Sequence, residues 1–168
     1  MPIQRLNHAV LYVRDVDASV AFYTDAPGFR VKAAMPGAAF LQAEGSTNDH
    51  DLGLFAAGDS AGASSAGRGT VGLYHLAWEV DTLAELGRIA SVLSGRGALV
   101  GASDHGTTKA LYARDPDGLE FEVSWLVPAA LITPDLTMKT ASLDLDAEIT
   151  RYGADTPGGI GVSTAALS

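Results

Sequence analysis

A repeat constrains this chain more than any other feature. The segments LNHAVLYVRDVDASVAFY, starting at Leu6, and LYHLAWEVDTLAELGRIA, starting at Leu73, align at an offset of 67 residues, which places His8 on His75. Each opens on Leu-x-His and an apolar run, passes an Asp, and enters a helical pattern. In the first copy Asp15 or Asp17 is placed to cap a helix carrying Val20, Phe22 and Tyr23 that stops at Pro27-Gly28. In the second, Asp81 and Thr82 precede Leu83, Leu86, Ile89, Ala90 and Leu93 at helical spacing, with a stop at Gly95 or Gly97. Short strand-like runs follow each helix: Phe29 to Met35, Ala38 to Ala43 and Leu52 to Ala56, then Ala98 to Gly101, Lys109 to Arg114 and Leu119 to Val127.

Strand-helix-strand-strand-strand, written twice, predicts an α+β fold of paired βαβββ modules. The modules span about 5–57 and 70–128 within one domain, 1–128, and a small, Gly- and Ser-rich linker at 58–69 joins them. Residues 129–168 form a C-terminal extension outside the repeat. It holds a short helix around Leu143 to Tyr152 and a Gly-rich end expected to fray, and it suits a lid, a dimer arm or packing against the sheet.

Composition narrows the function classes. At 168 residues the chain has no room for two independent enzymatic domains. It is 47% apolar with a mean hydropathy of +0.15, enough to bury a core. A formal charge of −9, with Lys and Arg scattered singly, argues against nucleic acid and anionic membrane surfaces as partners. The absence of cysteine excludes disulfides, thiolate metal sites and thiol nucleophiles together. No secretory leader and no long apolar run is evident, so the expected location is cytoplasmic.

The chain has four histidines, His8, His50, His75 and His105. Alternation places His8 with Leu6, Val10 and Tyr12, and His75 with Leu73, Ala77 and Glu79. A single histidine on an apolar strand usually reads as a hydrogen-bonded core residue. Two at matching positions of a repeat point instead to a shared metal site, because pseudo-twofold symmetry aims both imidazoles at one place. A carboxylate to balance the metal's charge comes from LEFEVSW, where Glu120, Glu122 and Ser124 share a face after the DPDG turn at Asp115 to Gly118. Alternation does not choose between the two glutamates.

With a His opening each module and Asp-Pro-x-Gly-x-x-x-Glu closing the second, residues 5–127 resemble the vicinal oxygen chelate superfamily. That resemblance implies a metal-binding half-barrel cup with His8, His75 and Glu122 as ligands. A longer stretch resembles the signature of extradiol ring-cleaving dioxygenases: His105, five residues, Leu111-Tyr112, two residues, Asp115-Pro116-Asp117-Gly118, three residues, Glu122. Ser103, where that family more often has Gly, Asn, Thr, Ile or Val, is the one departure. In NDHDLGLF, His50 falls where the family keeps a second active-site histidine at the start of the fourth strand.

The resemblance implies Fe2+, with Mn2+ as a known substitute, and an aromatic diol and O2 as substrates leading to a ring-opened semialdehyde. Two imidazoles and one carboxylate leave open metal positions for a bidentate diol and O2. His50 would help deprotonate the diol, while His105 and Tyr112 would hydrogen-bond its oxygens and deliver protons. Pocket candidates are Phe40, Leu54, Leu73, Trp78, Trp125 and the extension, each equally placed to be core. Open sheet edges and the extension invite a homodimer. Glyoxalase-like lyase or isomerase activity is the alternative, although that branch of the family uses an acidic ligand in the fourth strand, here LGLFA. A non-catalytic binder of an aromatic ligand is a further reading. Fosfomycin-modifying enzymes would need cationic loops, and bleomycin-binding relatives lack the metal histidines.

Overall fold

The computed structural model describes residues 2, 3, 5–67, 69–134 and 136–159. Their contacts divide the chain into two units, Met1–Ser65 with Asp115–Leu119, and Ala66–Arg114 with Glu120–Ser168.

Unit 1 runs β1 (Ala9–Val13), α1 (Val16–Asp25), β2 (Arg30–Met35), β3 (Ala38–Gln42) and β4 (Leu52–Ala56), with sheet order β1-β4-β3-β2. Asp15, not Asp17, caps α1, accepting the Ala18 N–H at 3.0 Å. The helix ends at Asp25, and Pro27, with no N–H to donate, cannot continue its hydrogen-bond ladder. Val13, Phe22, Tyr23, Phe29, Leu41, Leu52 and Leu54 form its buried core.

The turn Asp115–Leu119 belongs to this unit because two acidic side chains anchor it there. Buried Asp115 accepts the Asp117 and Leu119 N–H groups at 2.9 and 2.8 Å and the Tyr23 hydroxyl at 3.1 Å. Asp117 pairs with Arg14 at 2.7 Å. Burial raises the Asp115 pKa despite the hydrogen bonds that oppose the shift, and burial with the Asp115 charge raises Tyr23. The DPDG motif is therefore a structural hub as well as a turn, with Gly118 at φ +82°.

Unit 2 repeats the plan as β5 (Leu76–Glu79), α2 (Leu83–Gly95), β6 (Leu99–Asp104), β7 (Thr108–Arg114) and β8 (Glu120–Leu126). Its sheet order, β5-β8-β7-β6-β9, matches that of unit 1 and adds a short edge strand, β9 (Ala141–Ser142). Thr82 caps α2 by accepting the Glu85 N–H at 3.2 Å. Leu83, Leu86, Ile89 and Leu93, spaced three and four apart, are buried with Phe121, Val123 and Trp125 of β8 and Leu111 of β7.

The C-terminal extension packs within unit 2. After a 3-10 turn at Ala129–Leu131, β9 pairs antiparallel with β6, and α3 (Leu145–Tyr152) follows. Gly87 of α2 lies against Leu145, and Tyr152 stacks near Trp125 with ring centroids 5.5 Å apart. Of the three roles open to the extension, packing against the sheet is the one seen. The fraying expected of the Gly-rich end falls mostly on residues outside those described. Among the described residues, no helix is long and apolar enough to cross a membrane.

Candidate active site

Both repeat histidines stand one residue ahead of their strands, His8 before β1 and His75 before β5, not within them as alternation suggested. His8 is exposed, with Leu6, Val10 and Tyr12 of the same face 71%, 49% and 77% exposed. A core role for His8 is thereby ruled out.

In unit 1, β1 and β4 are parallel neighbours with Ala9 opposite Leu52, so the residues before both strands meet at one end of the sheet. There the His8 and His50 rings lie 4.5 Å apart, and Phe40 packs edge-on to His50 at 5.0 Å. His8 Nδ1 donates to Asn7 Oδ1 at 2.7 Å, which leaves Nε2 with its lone pair outward, the arrangement of a metal-ligating imidazole with an outer partner. His50 Nδ1 donates to Asp49 Oδ2 at 3.0 Å, and this bond holds the exposed Asp49 carboxyl below its usual range. His50 stands two residues before β4, between bends at Asn48–Asp49 and Asp51.

In unit 2, β5 and β8 are parallel with Ala77 opposite Glu122, so His75, two residues before Ala77, is a diagonal neighbour of Glu122 on one face. His75 Nε2 is 3.3 Å from Glu122 Oε2. Glu120 pairs loosely with Arg114 at 3.7 Å. Geometry thus separates the two glutamates where alternation does not. His75 Nδ1 is buried without a hydrogen-bond partner, and the ring is flanked by Tyr74 and Tyr112 at 4.6 and 5.9 Å. Its orientation rests on packing and on Glu122.

Tyr112 on β7 is the direct cross-strand partner of Glu122. Its hydroxyl is 2.9 Å from His105 Nε2. Burial raises the Tyr112 pKa, and the charge on Glu122 adds to the shift, so the phenol keeps its proton across the neutral range. His105 Nδ1 donates to the Lys139 carbonyl at 3.1 Å. Two polar pairs, His105–Tyr112 and His75–Glu122, thus lie side by side through the cross-strand register of Tyr112 on Glu122.

The donor set suits a divalent cation. Two ligand atoms each about 2.1 Å from one ion, at angles of about 90–110°, stand about 3.0–3.4 Å apart, and the His75–Glu122 separation of 3.3 Å falls there. Among the described residues no three His, Asp or Glu side chains gather as a group that could hold a metal, so the arrangement is seen as pairs within each unit. Shifting the register by the repeat offset places Gly53 of β4, opposite Val10, where Glu122 stands in β8 opposite Ala77. Unit 1 presents no carboxylate at that point. Of the pocket candidates, Leu54 and Trp125 are fully buried core, while Leu73 is 59% exposed. Asn7, Asp49 and the Lys139 carbonyl were not legible as site groups in the sequence.

Residues 5–123 match the family model described as the Glyoxalase/Bleomycin resistance protein/Dioxygenase superfamily. The chain belongs to that superfamily. Its superfamily relatives include a catechol-2,3-dioxygenase of Bacillus subtilis (strain 168), 30% identical over 70% of this chain and 40% of the relative. A biphenyl-2,3-diol 1,2-dioxygenase of Rhodococcus globerulus is 33% identical over 68% of this chain and 59% of that protein. The chain therefore spans about half the length of the curated superfamily relatives it matches. Among solved structures of similar fold, a lactoylglutathione lyase from Agrobacterium tumefaciens superposes with a TM-score of 0.54 at 26% identity, covering 74% of this chain and 95% of that one.

Proposed function

We propose that this protein is an extradiol ring-cleaving dioxygenase that inserts O2 into a catechol-type aromatic and releases a ring-opened semialdehyde. The observation that carries the reading is the arrangement in unit 2, where the His105–Tyr112 pair lies beside a His75–Glu122 pair at ligand spacing, Tyr112 being the cross-strand partner of Glu122. Glyoxalase-type chemistry does not require that pair. The two dioxygenase relatives support the same reading.

In this reading His8, His75 and Glu122 hold Fe2+, with Mn2+ as the substitute. Bound there, the ion would supply the redox path between a catecholate and O2 that spin otherwise blocks. The remaining steps belong to this chain's own groups. His50 Nε2, left free by the Nδ1–Asp49 bond, takes a proton from the incoming diol. The Tyr112 hydroxyl faces His105 Nε2, donating to it when the ring is neutral and accepting from it when Nε2 carries a proton. Movement between these two states delivers a proton to, or withdraws it from, a substrate oxygen beside the Tyr112 hydroxyl. Phe40, packed on His50, provides an apolar wall for an aromatic ring. Exposed Val10 and Tyr12 on edge strand β1 support a homodimer.

The test is O2 uptake, with absorbance followed in parallel, after anaerobic Fe2+ loading and addition of a catechol panel. Stoichiometric uptake with a yellow product is the expected outcome. Metal-loaded protein that consumes no O2 with any catechol would refute the proposal and favour a lyase or binding role.

A further inference from the structure

The superfamily match ends at residue 123, yet a group well beyond it touches the candidate site. Resting on the dioxygenase reading, we infer that the segment Thr137–Tyr152 positions His105 for catalysis, with buried Lys109 as the clamp that holds the segment in place. A backbone carbonyl can only accept, so the 3.1 Å bond to Lys139 puts a proton on His105 Nδ1. In the neutral ring, Nε2 is then the acceptor that faces Tyr112 at 2.9 Å. The tautomer that makes His105 a proton acceptor toward Tyr112 is set from outside the catalytic modules.

What holds Lys139 there is an ion network on the helix side of the sheet. Lys109, fully buried on β7, lies 2.6 Å from Asp104 of β6 and 3.0 Å from Glu148 of α3. Asp104 also takes the Lys139 ammonium at 2.5 Å. One buried cation thus ties the strand before His105 to the helix after Lys139. Beside it, β9 pairs with Ser103 and Asp104, so hydrogen bonds and charge register the segment at the same point. Gly106, at φ +84°, completes the fit: a Cβ there would overlap the Thr137 carbonyl. Lys109 touches no reacting group and is a positioning residue.

Gly106→Ala pushes the segment away sterically while leaving Lys109, Asp104 and Glu148 unsubstituted, and Glu148→Gln loosens the network without crowding the loop. In the metal-free 168-residue chain, 15N imidazole signals assign the His105 tautomer, and the other three histidines report whether the fold is kept. The expected result is a fixed Nδ1–H form in the wild type and a tautomer mixture in the variants. kcat on a catechol should fall roughly 10–100-fold with KM changed less than about threefold. A fixed Nδ1–H form in both variants, or a shifted tautomer with unchanged kcat, would overturn the inference. If Gly106→Ala does not fold, Glu148→Gln decides by the same criteria. A wild type inactive on every catechol sinks the dioxygenase reading, while the tautomer result still scores the positioning.

Discussion

At the scale of single residues, the proposed function divides the candidate site into metal ligands and proton-handling groups, and substitutions should separate them. His75→Ala and Glu122→Ala each remove one member of a pair at ligand spacing, and His8→Ala removes the imidazole oriented by Asn7. Each should abolish metal retention and turnover together, measured as metal content after desalting; iron equal to wild type would refute the assignment for that residue. Tyr112→Phe should retain metal and lose one hydrogen bond, worth about 1–3 kcal/mol in the transition state or roughly 5–150-fold in kcat. His50→Phe should also keep metal and cost roughly 10²–10⁴ in turnover. The repeat and the His-to-Glu spacing made His8, His75, His105, Tyr112 and Glu122 legible from sequence. Asn7, Asp49 and a main-chain carbonyl 34 residues from its histidine were not, since no residue type marks a carbonyl and Asn and Asp are common everywhere.

At the scale of elements, two buried acidic residues decide how strands are joined. Asp104 is raised by burial, but hydrogen bonds from Lys109, Lys139 and the Gly106 N–H outweigh that and bring it down to about 2. A depressed folded pKa contributes stability present above the unfolded value of about 3.9 and lost as pH falls toward about 2, on the order of 2 kcal/mol. Urea midpoints for the wild type and Asp104→Asn should therefore differ at pH 6 and converge as pH drops through that window. A constant difference would show that the carboxylate charge contributes nothing. Asp115 holds the other junction, and Asp115→Ala would remove the carboxylate that accepts from two backbone N–H groups and from the Tyr23 hydroxyl. The expected loss is about 3 kcal/mol by urea unfolding. The DPDG signal announced a turn, but a turn's local chemistry does not reveal that its carboxylate reaches a tyrosine 92 residues away.

At the scale of the whole molecule, each unit has its own apolar core, so metal should add to stability without being required for folding. Anaerobic Fe2+ or Mn2+ at about 100 times Kd should contribute about 2.7 kcal/mol and raise Tm by roughly 5–10 °C, and His75→Ala should abolish the shift. An equal shift in the variant would place the metal elsewhere. The sequence by itself determined the duplicated strand-helix-three-strand order, because apolar periodicity and caps are local, and it marked the candidate histidines and the pair Glu120 and Glu122, because the repeat offset and motif spacing are written along the chain. Only the tertiary structure decided which glutamate meets His75, through the parallel register of β5 on β8. It also decided that the extension is an edge strand and helix clamped by a buried lysine. Register and long-range ion pairing arise from contacts between segments far apart in sequence, where neither periodicity nor composition carries a signal.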